Sequence, residues 1–593
     1  MASFPGKYFE IVPGARTPRI EPVYAEDGIG RAVSRRDVVP SCEPGGAERV
    51  CVNSSTNRHF RWLIVGIWLL LPAAASGRSV ARTTLTIIPA DGGVRLAYAL
   101  PGPVNSLALG KDAQAPSVAN ISTVEPGLSL EDGVVRSARP FARVTLFVRA
   151  DSREVDSVYP LLSPIAGKGF VLFAPYVLPT GGRTHVVIED GVHRNRSELS
   201  GAALDGYVVT GASTENSGLF RSVTSANTPV SLREMVMDRS GKLLAFYQAR
   251  LKIPLSRKPV VVLAYTDKAT ESGRWSNRGD VPPNGVVFLR INASAAQIGD
   301  PALTGRLTAF LSHELFHLWN GNNTGPSSDW WLHEGGAEYA SWIAGATLWP
   351  AEFSVETSVG GTLRTCSMFL GSRPMIGLSD LDARSVRYPC GAVMQWVVDA
   401  GVRAGKNGDA FSLWRRLLSE RRDGSYGLTD FRTEVTKLAS NSRGSVDALL
   451  DGKGIARWHD LAQAMNHMGA HVEAGSPTDF TLRLAAAQAL VRSACGTVQG
   501  VGEDKRGLYA QGPKSCVMFG DGPVIERLDG FAPMVSASDF YEAAVKHCGS
   551  GVAVPLTLNA AGAARSQDLT CTVPVDPPAP ALTIFRALPP PRQ

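Results

Sequence analysis

The segment LSHELFHLWNGNNTGPSSDWWLHEGG, residues 311–336, restricts the fold of this chain more than any other stretch. His313 and His317 stand four positions apart, so on an α-helix both imidazoles project from one face and can reach the same ion. Asp300 is a favourable N-cap, and Gly321 is typical of a helix end. The sequence therefore predicts a helix between these two residues that carries two metal ligands.

A third ligand is required, because a catalytic zinc ion usually has three protein ligands and one open position. Glu334 is the best candidate, since it opens a second predicted helix that runs from Ser328 or Asp329 to just before Pro350. The short loop between the helices would fold them against each other. Glu338 lies one turn beyond Glu334, where it would either hydrogen-bond a ligand histidine or face solvent.

These residue types predict hydrolytic chemistry. Zn²⁺ held by His313, His317 and Glu334 would make hydroxide available near neutral pH. Glu314, next to the first histidine, is positioned as the general base. His333 is expected either to point into the cleft and touch substrate, or to lie at the surface or in the cleft wall without such a role. Two alternatives remain open: a motif that arises by chance, and a cell-envelope binding or chaperone-like module whose zinc is structural.

HELFHLWN followed by WWLHEGGAEYAS resembles the gluzincin metallopeptidases, in particular the glycyl aminopeptidase (M61) family, with the M1 aminopeptidases as the nearest relatives. The matching positions include Trp319, Asn320, Trp331, Glu334, Gly335 and Tyr339. Further along, RYPCGAVMQWVVDAGVRA is similar to a helix of that family, through Tyr388, Gly391, Ala392 and Asp399. The resemblance covers roughly 300–440 and implies a thermolysin-like, mainly helical catalytic domain. It also implies that Tyr388 hydrogen-bonds the oxyanion of the reaction; the alternative is a buried aromatic at a helix start.

The stretch PPNGVVFLRINAS, residues 282–294, precedes the predicted zinc helix and bears on how a substrate is recognised. Aminopeptidases of the families that the chain resembles carry a glutamate-bearing strand motif upstream of the zinc helix, and it binds the free amine of the substrate. This stretch contains no acidic residue. An endopeptidase or an enzyme of unusual specificity is therefore a second interpretation beside an aminopeptidase. Residues 284–292 are expected to form an edge strand that pairs with extended substrate backbone.

A chain of 593 residues is too long for one hydrophobic core and predicts a multidomain α+β protein. Residues 1–57 are interpreted as a disordered leader or the product of a mis-assigned start, and 58–76 as a secretory signal peptide. A β-rich, sandwich-like N-terminal domain is predicted for 77–250, and the catalytic domain for 251–472. The remainder, 473–593, is predicted to be strand- and turn-rich, either a PDZ-like domain or a β domain held by disulfides.

Removing the leader leaves six cysteines, and an even number behind an export signal predicts disulfides in a periplasmic or secreted protein. Six cysteines allow fifteen pairings. The preferred pairing joins sequence neighbours: Cys366 with Cys390, Cys495 with Cys516, and Cys548 with Cys571. The net charge of +6 is not concentrated in any run, which argues against nucleic-acid binding. The expected partner is a peptide or protein substrate, with no stable membrane insertion unless the signal remains as an uncleaved anchor.

Overall fold

The computed structural model describes residues 82–587 except 111–119, 151–160, 166–168, 191–194, 268–272, 274, 322–328, 379, 420–424 and 561. The leader and the signal peptide predicted for 1–57 and 58–76 lie outside the described residues. Within the described residues, none of the helices combines the length and the apolar character that crossing a membrane requires.

The N-terminal region is rich in β-strands, as the sequence predicts. Its strands are β1 Arg82–Ala90, β2 Gly93–Ala108, β3 Ile121–Thr123, β4 Leu128–Glu131, β5 Val134–Arg149, β6 Leu162–Pro164, β7 Phe170–Phe173, β8 Arg183–Asp190, β9 Asn195–Ser200 and β10 Tyr207–Thr210. One sheet has the order β3-β5-β2-β1-β8-β9, with β4 also paired to β5, and a second has the order β10-β7-β6. Both sheets contribute to one hydrophobic core, because alternate residues such as Leu85 and Ile87 point inward.

A second sheet region leads into the helices. Its elements are β11 Glu215–Ser217, β12 Phe220–Thr224, α1 Val230–Leu251, β13 Val260–Thr266, β14 Ser276–Asp280 and β15 Val286–Asn292. The helix α1 lies inside the region predicted to be β-rich. Its buried residues Leu232, Val236, Leu243 and Tyr247 recur at helical spacing. The Tyr247 hydroxyl donates to the Ser312 carbonyl at 2.9 Å, which ties α1 to the helix that carries the two histidines.

The prediction that residues 284–292 form an edge strand is wrong. The sheet order is β11-β12-β13-β15-β14, so β15 lies between a parallel neighbour, β13, and an antiparallel one, β14. Four consecutive residues of β15, from Val286 to Leu289, are buried, which is typical of a strand covered on both faces. The short polar strand β14, SNRGD, forms the edge instead.

The helical region contains α2 Pro301–Asn320, α3 Trp330–Leu348, α4 Val355–Leu370, α5 Asp380–Ala404, α6 Ala410–Ser419, α7 Leu428–Leu438, α8 Arg443–Leu450 and α9 Arg457–His467. The predicted boundaries of α2 are confirmed. The Asp300 side chain accepts a hydrogen bond from the Ala302 backbone N–H at 2.8 Å, and Gly321 follows the last helical residue. The thermolysin-like character of this region stays a prediction.

The C-terminal region contains β16 His471–Gly475, α10 Asp479–Cys495, β17 Gly500–Asp504, β18 Gly507–Gln511, β19 Val524–Leu528, α11 Ala537–His547, β20 Ala553–Ala560, β21 Ala563–Thr570 and β22 Ala581–Arg586. Strands β17 to β21 form one antiparallel sheet in sequence order, and β22 pairs with β16. The helix α10 was not predicted; its Ala-rich middle is buried in the core of this region. The PDZ-like interpretation and the domain boundaries stay predictions.

The three disulfides of the preferred pairing are present. Cys366–Cys390 joins α4 to α5, with the two Cα atoms 4.8 Å apart. Cys495–Cys516 holds the end of α10, and Cys548–Cys571 joins the residue after α11 to the residue after β21. These bonds are compatible with a periplasmic or extracellular protein.

Candidate metal centre

His313 and His317 on α2 and Glu334 on α3 meet in the protein interior. The two histidine Nε2 atoms are 3.1 Å apart. The Glu334 Oε2 atom lies 3.2 Å from Nε2 of His313 and 3.5 Å from Nε2 of His317. The Glu334 side chain is 12% exposed, and those of His313 and His317 are 2% and 9% exposed. Three atoms that can bind a metal, two imidazole nitrogens and one carboxylate oxygen, therefore converge on one small volume that is largely shielded from solvent.

The hydrogen bonds at the Nδ1 atoms of both histidines set their tautomers. The His313 Nδ1–H donates to Glu338 Oε2 at 3.1 Å, and the His317 Nδ1–H donates to Asn320 Oδ1 at 2.9 Å. The orientation of the Asn320 amide is set independently, because its Nδ2 donates to the His333 carbonyl at 2.9 Å. Each Nε2 atom is therefore left with a lone pair that faces the other histidine and the carboxylate.

Two lone pairs and a carboxylate oxygen this close repel one another unless a cation lies between them. A proton can serve: burial lowers the pKa of His313, but hydrogen bonds to Glu334 and Glu338 and the charge of Glu314 outweigh it and raise the pKa to about 10. Burial has the opposite effect on Glu334, because it raises the pKa of a carboxyl group. The nearby His317 and His313 outweigh burial and hold the Glu334 pKa well below its usual range. The surroundings thus favour positive charge at this point.

The spacing also fits a metal ion. Two ligands that each lie ~2.0–2.1 Å from zinc at a tetrahedral angle are about 3.3–3.4 Å apart. The observed separations of 3.1, 3.2 and 3.5 Å bracket that value. All three ligand atoms lie within 4.8 Å of one another, so a single ion can contact them.

Tyr388 on α5 lies over this cluster. Its ring stacks on the ring of His313, with centroids 5.9 Å apart and planes 29° from parallel, and its phenol hydrogen-bonds the Glu334 carboxylate. Burial, followed by the charges of Glu334 and Glu314, raises the Tyr388 pKa well above its usual range. The phenol therefore keeps its proton and can act as a hydrogen-bond donor.

A contact between two glycines brings α5 close to α3. A Cβ atom on Gly391 would overlap the Trp331 carbonyl oxygen and approach the Gly335 Cα to 2.9 Å. A Cβ atom on Gly335 would overlap the Gly391 backbone in return. Only glycine at both positions allows this approach, and Tyr388, which lies one turn before Gly391, is thereby placed beside Glu334.

Two further candidate residues, Glu338 and His333, lie behind the ligands. Glu338, in addition to its bond to His313, accepts a hydrogen bond from Trp342 Nε1 at 3.2 Å. His333 is buried and stacks on the ring of His317 at 4.3 Å, with its Nδ1 atom 3.3 Å from the Tyr426 hydroxyl. Burial and the neighbouring His317 lower the His333 pKa to about 3, so this ring is neutral. Nothing in the sequence pointed to Tyr426.

The substitution Glu338→Gln should weaken metal binding without removing a ligand. Glutamine keeps the shape of the side chain but not the negative charge that makes His313 a better ligand, so we expect affinity for zinc to fall ~10–100-fold. A competition titration against a chromogenic chelator measures this. The control is Glu356→Gln, which changes an exposed residue on α4. Equal affinities for the two variants would contradict a supporting role for Glu338.

Asp280 lies near the site and is not among the site residues predicted from the sequence. It is the last residue of the edge strand β14, and only Val281 separates it from the stretch in which no acidic residue was found. Burial and the charge of Glu314 raise the pKa of its carboxyl well above the usual range. The carboxyl hydrogen-bonds Tyr207, but its buried Oδ2 atom has no hydrogen-bond partner among the described residues. The signal was there: an acidic residue closes the strand that precedes a PPNG turn.

The overall fold is similar to that of solved structures. Over 85% of this chain and 98% of the other, the structure matches an aminopeptidase N family protein from Idiomarina loihiensis with a TM-score of 0.54 and 11% sequence identity. An M1 zinc metallopeptidase from Deinococcus radiodurans (14% identity, 63% of this chain, 94% of that chain, TM-score 0.36) and aminopeptidase A from Legionella pneumophila (12%, 63%, 49%, 0.39) match more weakly. No family model and no curated protein sequence matches the chain. The first likeness establishes the fold, and the M61 resemblance stays a prediction.

Proposed function

We propose that this protein is an exported zinc-dependent metallopeptidase of the gluzincin type. The observation that carries the proposal is the convergence of His313, His317 and Glu334, with both histidine tautomers set so that their Nε2 atoms face one point. A zinc ion held there would polarise the scissile carbonyl and lower the pKa of a bound water. The three disulfides support export.

Two side chains carry the proton transfers and the charge stabilisation. Glu314 takes a proton from the attacking water and later delivers it to the leaving amine. The Tyr388 phenol donates a hydrogen bond to the carbonyl oxygen as that oxygen becomes negative, and its raised pKa keeps the proton available. Glu338 and His333 hold the two histidine rings in place.

Membership of the M61 family is the finer part of the proposal. Its support is that the motif residues after the second histidine have structural roles here. The Trp319 Nε1–H donates to the Ile253 carbonyl at 2.8 Å and anchors the end of α2, while Asn320 sets the tautomer of His317.

The proposed substrate is a peptide with a free N-terminus. Asp280 supplies a carboxyl whose buried Oδ2 atom has no hydrogen-bond partner among the described residues, and burial together with the charge of Glu314 raises its pKa. A substrate ammonium group would offset the desolvation of this carboxyl. The backbone of the peptide would pair with β14, which is the outer strand of its sheet among the described residues, in place of the predicted strand at 284–292.

The test of the function is peptide cleavage by the purified protein. We expect hydrolysis that a chelator abolishes and added zinc restores, with free-amine peptides cleaved faster than their acetylated counterparts. A binding or chaperone-like module with structural zinc would bind the metal and cleave nothing. Equal cleavage of free and acetylated peptides would favour the endopeptidase interpretation.

The substitution Asp280→Asn should act selectively. Removing one partner of a desolvated charge pair costs about 2–5 kcal/mol, so kcat/KM for a free-amine peptide should fall on the order of 100-fold. Cleavage of an acetylated peptide, however slow, should not change. The matched control is Asp238→Asn, an exposed position on α1. If both substrates lose activity equally, Asp280 does not bind the amine.

A further inference from the structure

We propose that the Cys366–Cys390 disulfide is a positioning device for the Tyr388 phenol, acting through the first part of α5. This inference rests on the proposed function, since it concerns the hydrogen bond that Tyr388 donates during catalysis. Its starting point is the position of Cys390, two residues after Tyr388 in the same helix.

The helix is weak at the point where Tyr388 stands. Pro389 lies inside α5 and cannot donate a backbone hydrogen bond to the carbonyl four residues earlier. The segment that ends in Tyr388 is therefore joined to the rest of α5 by a turn with fewer backbone hydrogen bonds than an uninterrupted helix has. Contacts outside the helix must compensate if the phenol is to keep one position.

Two such contacts are made by the residues that directly follow Pro389. Gly391 packs against Gly335 and the Trp331 carbonyl, which holds α5 to α3. Cys390 is bonded to Cys366 on the buried face of α4, which holds α5 to a second helix. The two anchors are adjacent in sequence and lead to different helices, so together they restrict both the distance and the rotation of α5 at Tyr388.

The metal ligands do not depend on this anchor directly. His313 and His317 lie on α2 and Glu334 on α3, whereas the disulfide joins α4 to α5. The other two disulfides lie in the C-terminal region and join none of the helices that carry the site. Loss of Cys366–Cys390 should therefore impair the step that uses Tyr388 and leave zinc binding intact.

The experiment combines removal of the disulfide with removal of the phenol. The variant Cys366→Ala/Cys390→Ala is compared with wild type, with Tyr388→Phe and with the combined variant, all in the full chain. A 1 Å misplacement of a catalytic group can cost ~100-fold, so we expect kcat to fall ~10–100-fold while KM and zinc content stay within about twofold. In the Tyr388→Phe background, disulfide removal should lower kcat by less than about twofold, because both changes act on the same interaction.

Two controls make the result specific. The variant Cys548→Ala/Cys571→Ala removes a disulfide from the C-terminal region and should leave kcat unchanged. The variant Cys366→Val/Cys390→Ala keeps more of the buried volume without the cross-link and should behave like the double alanine variant.

Each other outcome has a distinct meaning. Absence of chelator-sensitive cleavage in wild type would reject the proposed function. An unchanged kcat in Tyr388→Phe would reject the role of Tyr388 and this inference with it. If Tyr388→Phe lowers kcat but disulfide removal does not, or if the two losses multiply, only the positioning role is overturned. Loss of zinc or of the folded circular dichroism signal in both cross-link variants would also overturn it, since the bond would then serve the whole fold.

Discussion

The variant Glu314→Gln should retain zinc and lose turnover. Glutamine has nearly the shape of glutamate but cannot accept a proton, so the water is no longer deprotonated and the leaving amine receives no proton from this residue. A positioned general base contributes ~10²–10⁴-fold, and Glu314 serves in both proton transfers, so we expect kcat to fall at least ~10³-fold. Glu314 is not one of the three residues whose ligand atoms converge, so the Glu314→Gln variant should still bind the metal.

Two measurements on the same preparation decide this prediction. Elemental analysis gives the zinc content per chain, and hydrolysis of a fluorogenic peptide gives kcat and KM. The control is Glu234→Gln, an exposed residue on α1 that should behave like wild type. Retained turnover with bound zinc would reject Glu314 as the base. Loss of both zinc and turnover would show instead that this carboxylate helps to hold the metal.

Replacing Glu334 by alanine should remove the metal. Two histidine ligands would remain, and the Oε2 atom that lies 3.2 and 3.5 Å from their Nε2 atoms would be gone. Outer partners of metal ligands contribute ~10–100-fold in affinity, so loss of a direct ligand should weaken zinc binding by more than ~100-fold. Activity at micromolar zinc should fall below detection as a consequence.

Thermal unfolding provides a readout of this variant that is independent of catalysis. A ligand that binds only the folded state at a thousand times its Kd adds about 4 kcal/mol to the free energy of unfolding. Zinc should therefore raise the Tm of wild type and of Glu356→Ala, and leave the Tm of Glu334→Ala unchanged. A zinc-dependent rise in Tm for Glu334→Ala equal to that of wild type would mean that the ion binds elsewhere.

Much of the site could be predicted because its signals are local. Helical spacing alone places His313 and His317 on one face, and the cap at Asp300 bounds the helix. The disulfide pairing was predictable for a similar reason, since each bond joins cysteines that are neighbours among the cysteines of the sequence. The helices α1 and α10 were not predicted from the sequence. Their burial against other elements stabilises them more than their composition does, so patterns within each segment do not reveal them.

The edge of the sheet was predicted wrongly for the opposite reason. Strand pairing depends on residues that are distant in sequence. The residues 284–292 do not by themselves indicate that strands pair with both sides of this segment, and only the sheet order shows that β14 is the outer strand. Asp280 was overlooked as a consequence. The stack of His333 on His317 and the bond from Tyr426 to Asn320 likewise join residues that are distant in sequence.

By itself the sequence determined which residue types could bind a metal and which helix carries two of them, and it favoured one pairing of the cysteines among the fifteen that are possible. The tertiary structure decided how near α5 comes to α3, which strand forms the edge of the sheet, and which side chains set the histidine tautomers. The physical reason is the range of the forces involved. Helix periodicity and capping act within a few residues, whereas the Gly335–Gly391 contact and the order of strands exist only once distant segments have packed together.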